Sequence, residues 1–86
     1  MHWQQIREHY PRRWLLVEAI EAHSSKGSRH LDDIAVLEEY PNGRDALTGY
    51  LEHHRRAPQR ELYVLHTDRE RLEIDERDWL GLRRAG

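Results

Sequence analysis

Seven histidines among 86 residues are the first feature that could carry chemistry: His2, His9, His23, His30, His53, His54 and His66. A metal ion needs two or three imidazoles or carboxylates aimed at one point, commonly at helical spacings of three or four. No H-x-x-x-H or H-E-x-x-H occurs. His53 and His54 are adjacent and point about 100° apart on a helix, so one ion cannot easily take both. His23 and His30 flank one loop and can meet across a hairpin, with Asp32 or Asp33 nearby. Solvated or core-edge histidine is the default for all seven, and no metal or other cofactor is expected.

His66-Thr67-Asp68 places a base, a hydroxyl and a carboxylate side by side. Consecutive strand residues point to opposite faces, so the three form no relay without a bend. A turn in which these side chains cap backbone amides is the simpler reading. The acidic residues Asp32-Asp33, Glu38-Glu39, Asp75-Glu76 and Asp78 are likewise neighbours rather than partners across a pocket. General acid–base work needs two carboxyls facing one another with split pKa values. No catalytic residue is assigned, and the chain is read as non-enzymatic.

Thirteen of the fourteen basic residues are Arg, with Lys26 the exception. Arg suits bidentate recognition of carboxylate or phosphate, although a GC-rich coding sequence gives the same bias. Arg55, Arg56 and Arg60 form a local basic cluster, and Arg12-Arg13 and Arg83-Arg84 are doublets. Brought together they would make a phosphate-binding stripe. The residues from 31 to 52 carry a net −5, which opposes such a contact, and no aromatic lies between residues 51 and 62 for base stacking.

The elements that must position these groups are bounded by length and composition. One small domain, residues 1–86, is expected, with 37% hydrophobic and 35% charged residues, against about 45–50% and 25% in typical domains. Such a chain builds a thin core. The absence of Cys excludes a disulfide scaffold and a thiolate site. No apolar run approaches the roughly 20 residues that span a bilayer. Met1-His2-Trp3-Gln4-Gln5 lacks the order of a secretory signal, so a cytoplasmic protein is expected. The net charge of −2 gives no global pull toward nucleic acid or membrane.

Trp3, Ile6 and Tyr10 share one face of a short helix that should stop before Pro11. Residues 13–23 form a nearly continuous apolar run, read as a central strand, with a helix as the rival. Residues 31–40 pair with it through a connection of four to six residues. Asn42 caps a helix over residues 43–56, with Ala46, Leu47, Tyr50, Leu51 and His54 on one stripe. Strands follow at residues 61–67 and 71–75, the second strictly alternating. The result is an α+β domain: a short N-terminal helix, then β-β-α-β-β, with one main helix on a mostly antiparallel four-stranded sheet. Numbered along the chain, the strands are expected in the spatial order 2-1-3-4.

That architecture covers one sheet face well and leaves the other to the short helix and the tail. Trp3, Trp14, Tyr63 and Trp79 are large rings for so thin a core and form the candidate interaction surface, since partners bury such rings. The alternative is that the helix of Trp3–Tyr10 and the tail around Trp79 fold over that face and seal it.

The stretch Tyr10-Pro11-x-x-Trp14-x-Leu16-x-Glu18-Ala19, preceded by Trp3 and Ile6, resembles the Y-P-x-x-W-x-L-x-E-A opening of a group of small bacterial proteins of unknown function. Some of these also end like Glu73-Ile74-x-Glu76-Arg77-x-Trp79-x-Gly81. The resemblance spans most of the chain, implies a bacterial cytoplasmic protein and brings no catalytic residues with it. The expectation is a non-enzymatic accessory or interaction module, a homodimer or the partner of another protein. A small antitoxin-like regulator using its Arg doublets on nucleic acid is the alternative.

Overall fold

A computed structural model describes residues 1–75 of the chain. The order is α1 (Trp3–His9), β1 (Trp14–Ser25), β2 (Ser28–Tyr40), α2 (Gly43–Arg56), β3 (Leu62–His66) and β4 (Glu73–Asp75). It is the expected α+β arrangement. No helix among the described residues is long and apolar enough to cross a membrane.

Local chemistry sets each boundary. Tyr10 ends α1 ahead of Pro11, donating its amide to the Ile6 carbonyl at 2.9 Å. The Asn42 side chain accepts the Asp45 amide at 2.8 Å, satisfying one of the free donors at the start of α2. β1 and β2 are longer than the sequence suggested, and their connection is tighter. Lys26 and Gly27 both have positive φ, 52° and 79°, and close the hairpin directly from Ser25 to Ser28. Two positive-φ residues give a turn whose twist matches that of the strands, so the ladder continues to its tip.

The sheet order is β3-β1-β2-β4, antiparallel throughout. β1 lies between β2 and β3 as expected. β4 does not follow β3, however; it pairs with β2, Arg29 opposite Ile74. The cause lies in α1. Trp3 Nε1 donates to the Arg69 carbonyl at 2.8 Å, Gln4 to that of Glu70 at 3.1 Å, and Arg7 Nε to that of Thr67 at 2.8 Å. These bonds draw the segment after β3 along α1 toward the distal hairpin, where Ile74 is fully buried.

The two faces carry separate cores. On the α1 side Trp3, Ile6, Leu15, Val17, Ile34, Tyr63, Leu65 and Ile74 are buried together. On the α2 side Leu16, Tyr50 and Leu62 are buried, with Leu37, Tyr40 and Val64 packed around them.

Candidate functional site

Four groups of side chains merit a functional reading. At the hairpin tip, His23 and His30 are register partners and do meet, their rings stacked with centroids 4.9 Å apart. Asp32 lies 2.7 Å from His23 Nδ1. His23 and Asp32 are exposed and His30 half-buried, and no group of three or more potential ligands converges on an ion site among the described residues.

The second group joins β2 to α2. The Tyr40 hydroxyl donates to the Glu38 carboxylate, and His53 Nε2 lies 3.4 Å from the same carboxylate. Glu38 and Tyr40 are two apart on a strand and so share its α2 face. Gly49 lets the Tyr40 ring reach the helix, because a Cβ there would collide with the tyrosine hydroxyl and ring. The hydrogen bond from Tyr40, with His53 and Arg56 nearby, holds Glu38 below the usual carboxylate range. Burial, then the Glu38 charge, pushes the Tyr40 hydroxyl up to about 12. A phenol shifted in that direction is a poorer nucleophile, not an activated one. Beside it Arg13, Glu39, Tyr40 and Pro41 line an open hollow of about 240 Å³.

His66-Thr67-Asp68 forms a turn, as read from the sequence. The Asp68 amide donates to His66 Nδ1 at 3.1 Å, and the buried Thr67 hydroxyl accepts the Arg13 amide at 2.9 Å. The His66 and Thr67 side chains are occupied in backbone capping, and the exposed Asp68 carboxylate lies 3.7 Å from His66 Nδ1.

The arginines divide into those in bidentate ion pairs and those exposed to solvent. Arg60 grips Glu18 with Nε and Nη2 at 3.0 and 2.6 Å, and Arg29 grips Glu61 at 2.9 and 2.8 Å. The Glu61 carboxylate also accepts the Tyr63 hydroxyl at 2.6 Å. The bidentate bond from Arg60 lowers the Glu18 pKa, against a smaller effect of burial. Arg12, Arg13, Arg55 and Arg56 are exposed. They do not merge into one stripe: Arg13 adjoins the Trp14–Gly43 contact at the start of α2, while Arg55 and Arg56 end that helix roughly 20 Å away.

The predicted aromatic surface is dispersed. Trp3 and Tyr63 are interior to the α1-side core, so α1 seals that face over the rings expected to be open. Trp14 is half-buried on the α2 side, edge-on to His66 with centroids 5.0 Å apart. Trp79 lies outside the described residues.

What is exposed instead is a different set, which sequence reasoning missed. Leu47 and Leu51 are each 44% exposed, although both were assigned to the covered stripe of α2. On the wheel, Gly49 and His53 face β2 through Tyr40 and Glu38. Leu47 and Leu51 lie on the opposite flank, over β3. Below them β3 is an edge strand, with no described strand beyond it. The bonds Ala19 N–H to Glu61 O and Thr67 N–H to Arg13 O show that odd-numbered residues bond inward to β1. By antiparallel alternation, the backbone groups of Leu62, Val64 and His66 point outward, the His66 carbonyl accepting the Arg69 amide at 3.1 Å. The available signal was the spacing Arg44, Leu47, Leu51, Arg55, a polar-ended apolar ridge beside the covered stripe.

Comparison with protein-family models, curated proteins and solved structures gave no match.

Proposed function

We propose that the chain is a non-enzymatic interaction module, working as a homodimer or as the partner of another protein. The observation that supports this most is the join of two sticky features at one edge. β3 offers outward backbone groups from a segment, Leu62-Tyr63-Val64-Leu65-His66, that carries no Lys, Glu, Asp or Pro. Edge strands are ordinarily blunted by such residues or by bulges. On the flank of α2 away from Gly49 and His53, Leu47 and Leu51 are half exposed. Binding surfaces of this kind join main-chain pairing to apolar contact.

A second reading, a small nucleic-acid-associated regulator, draws on the exposed Arg12, Arg13, Arg55 and Arg56. The two separate by solution mass after gel filtration at low and high salt, recorded with 260 and 280 nm absorbance. The interaction reading expects a protein-like ratio and an assembly that survives salt. Material rich in 260 nm absorbance that sheds it at high salt sinks that reading in favour of nucleic acid.

A further inference from the structure

We infer that α2 is the docking site for an acidic amphipathic helix of another protein, laid along the ridge of Arg44, Leu47, Leu51 and Arg55. This rests on the interaction reading above and names the chemistry of its partner.

The ridge follows from helical spacing. Steps of three, four and four residues keep the four side chains within a quarter turn of one another over about 16 Å. All four are exposed, the two leucines at 44% each. Thr48, beside them, turns its hydroxyl back onto the Arg44 carbonyl at 3.1 Å. The Arg44 and Arg55 side chains make no hydrogen bond or ion pair among the described residues, whereas Arg7, Arg29 and Arg60 are held by oxygens of the fold. The carboxylates of α2 stand off the ridge, Asp45 bonded to Asn42 at the cap and Glu52 acting on Tyr40 of β2. The ridge therefore carries charge of one sign, at its two ends, around an apolar middle.

That pattern selects its occupant. A second copy would set arginine against arginine whichever way the two helices ran. A bilayer takes up a helix through a broad apolar face, and two half-exposed leucines beside Asp45 and Glu52 present too little. The phosphates of a nucleic acid would meet the arginines and leave the leucines without an apolar contact. A segment with carboxylates at both ends of an apolar middle satisfies all four positions. It is a helix rather than a strand. A span of 16 Å is about five strand residues, and the strand period of two puts residues five apart on opposite faces. Helix residues eleven apart return to one face about 16 Å on, the relation that holds between Arg44 and Arg55 themselves. Helices packed about 8–10 Å apart bring guanidinium and carboxylate within reach of a bidentate bond.

The probe is a synthetic helical peptide with two Glu eleven residues apart, leucines between them on the same face, and Ala and Gln elsewhere. Its twin carries Lys in place of Glu. Binding to the full chain is measured by fluorescence anisotropy at low and high salt and mapped by backbone amide shifts in NMR. The Glu peptide is expected to bind about tenfold more tightly than its twin, to weaken with salt, and to shift amides over residues 44–55. The double variant Arg44→Glu, Arg55→Glu, at exposed positions, should keep the wild-type circular dichroism and reverse that preference. A chain that binds both peptides alike, or neither, overturns the inference, and so do shifts that fall outside α2. Phosphatidylglycerol vesicles or duplex DNA held at residues 44–55 more tightly than the Glu peptide overturn it in favour of that surface. The interaction reading survives failure of the peptides if the purified chain still forms a salt-resistant assembly on gel filtration. Salt-released nucleic acid in the purified protein is the separate result that removes that reading itself.

Discussion

The two faces of the sheet are covered by helices of seven and fourteen residues, and the shorter one closes the larger core. α1 turns Trp3 and Ile6 into the sheet and is tied by side-chain bonds to residues 67–70. The Met1 carbonyl also accepts the Ile34 amide at 2.9 Å. α2 turns inward two small residues and one ring, Ala46, Gly49 and Tyr50, and leaves two leucines half in water. Coverage thus follows from what a helix presents and how it is tethered, not from how long it is. Among the described residues α1 turns no large apolar side chain of its helix to solvent, whereas α2 leaves Leu47 and Leu51 half exposed although Leu62 of β3 is buried on the same face.

The sharpest way to break this contrast is truncation on each face. Ile6→Ala, in a fully buried position, should lower unfolding free energy by about 2–5 kcal/mol in urea titration. Leu51→Ala should stay within about 0.5 kcal/mol when measured on the monomer, as exposed sites do. Equal losses would show the faces to be equally sealed.

Gly49→Ala comes next. Ala is the better helix former by about 1 kcal/mol, yet its methyl takes the space of the Tyr40 hydroxyl and ring. A net loss of about 1–3 kcal/mol is expected, as for other overpacked sites. In a Tyr40→Ala background the same change should become neutral or stabilising. A Gly49→Ala chain as stable as wild type would mean that the α2–β2 contact is loose.

The acid limb gives a smaller effect. Glu18 is held below its ordinary 4.5 by Arg60. A depressed folded-state pKa means that its stabilisation is full above about 4.5 and is lost as pH falls through the lower folded value. Wild type should therefore lose more stability than Glu18→Gln on acidification through that window. Parallel curves would show that the Glu18–Arg60 pair does not depend on pH there.

At the alkaline end, one tyrosine should ionise near pH 12, and Tyr40→Phe should remove that step from the absorbance titration. The unfolded chain releases that proton near 10, so stability should fall between about pH 10 and 12. Smallest of all, His23→Ala should leave stability within about 0.5 kcal/mol, because its ring is exposed and stacks on the half-buried His30 from the solvent side.

Much of this fold could be read from local chemistry. The helix over Gly43–Arg56, its Asn42 cap, the stop at Tyr10 and the Thr67–Asp68 turn all depend on neighbours in sequence. The meeting of His23 with His30 follows from pairing two runs across one turn. β4 escaped because its place is decided by bonds from Trp3, Gln4 and Arg7 to a segment some sixty residues away. For Trp3 and Tyr63 the sequence leaves open surface and burial under α1 as alternatives, because ring count alone does not say which face a seven-residue helix will close; they are buried. Leu47 and Leu51 read as buried from the sequence, because periodicity gives the direction of an apolar stripe and not the width of what covers it. Gly49 in mid-helix was a usable sign of close approach, and Glu38 and Tyr40 two apart on a strand named the other side of that contact.

The bonds from α1 to residues 67–70 also set a timetable. Their sequence separations are 60 to 66 residues, and closing so large a loop costs chain entropy before any contact rewards it. The β1–β2 hairpin, closed by a two-residue turn, asks for almost none. The hairpin should therefore zip early, with β3, whose pairing with β1 spans 44 to 52 residues, and α1 docking on it afterwards. Until α1 is laid down, Leu15, Val17, Ile34 and Leu65 stand open to water. The larger core is then the last part of the molecule to form, and a refolding chain is most prone to aggregate in the interval before Trp3 reaches Arg69.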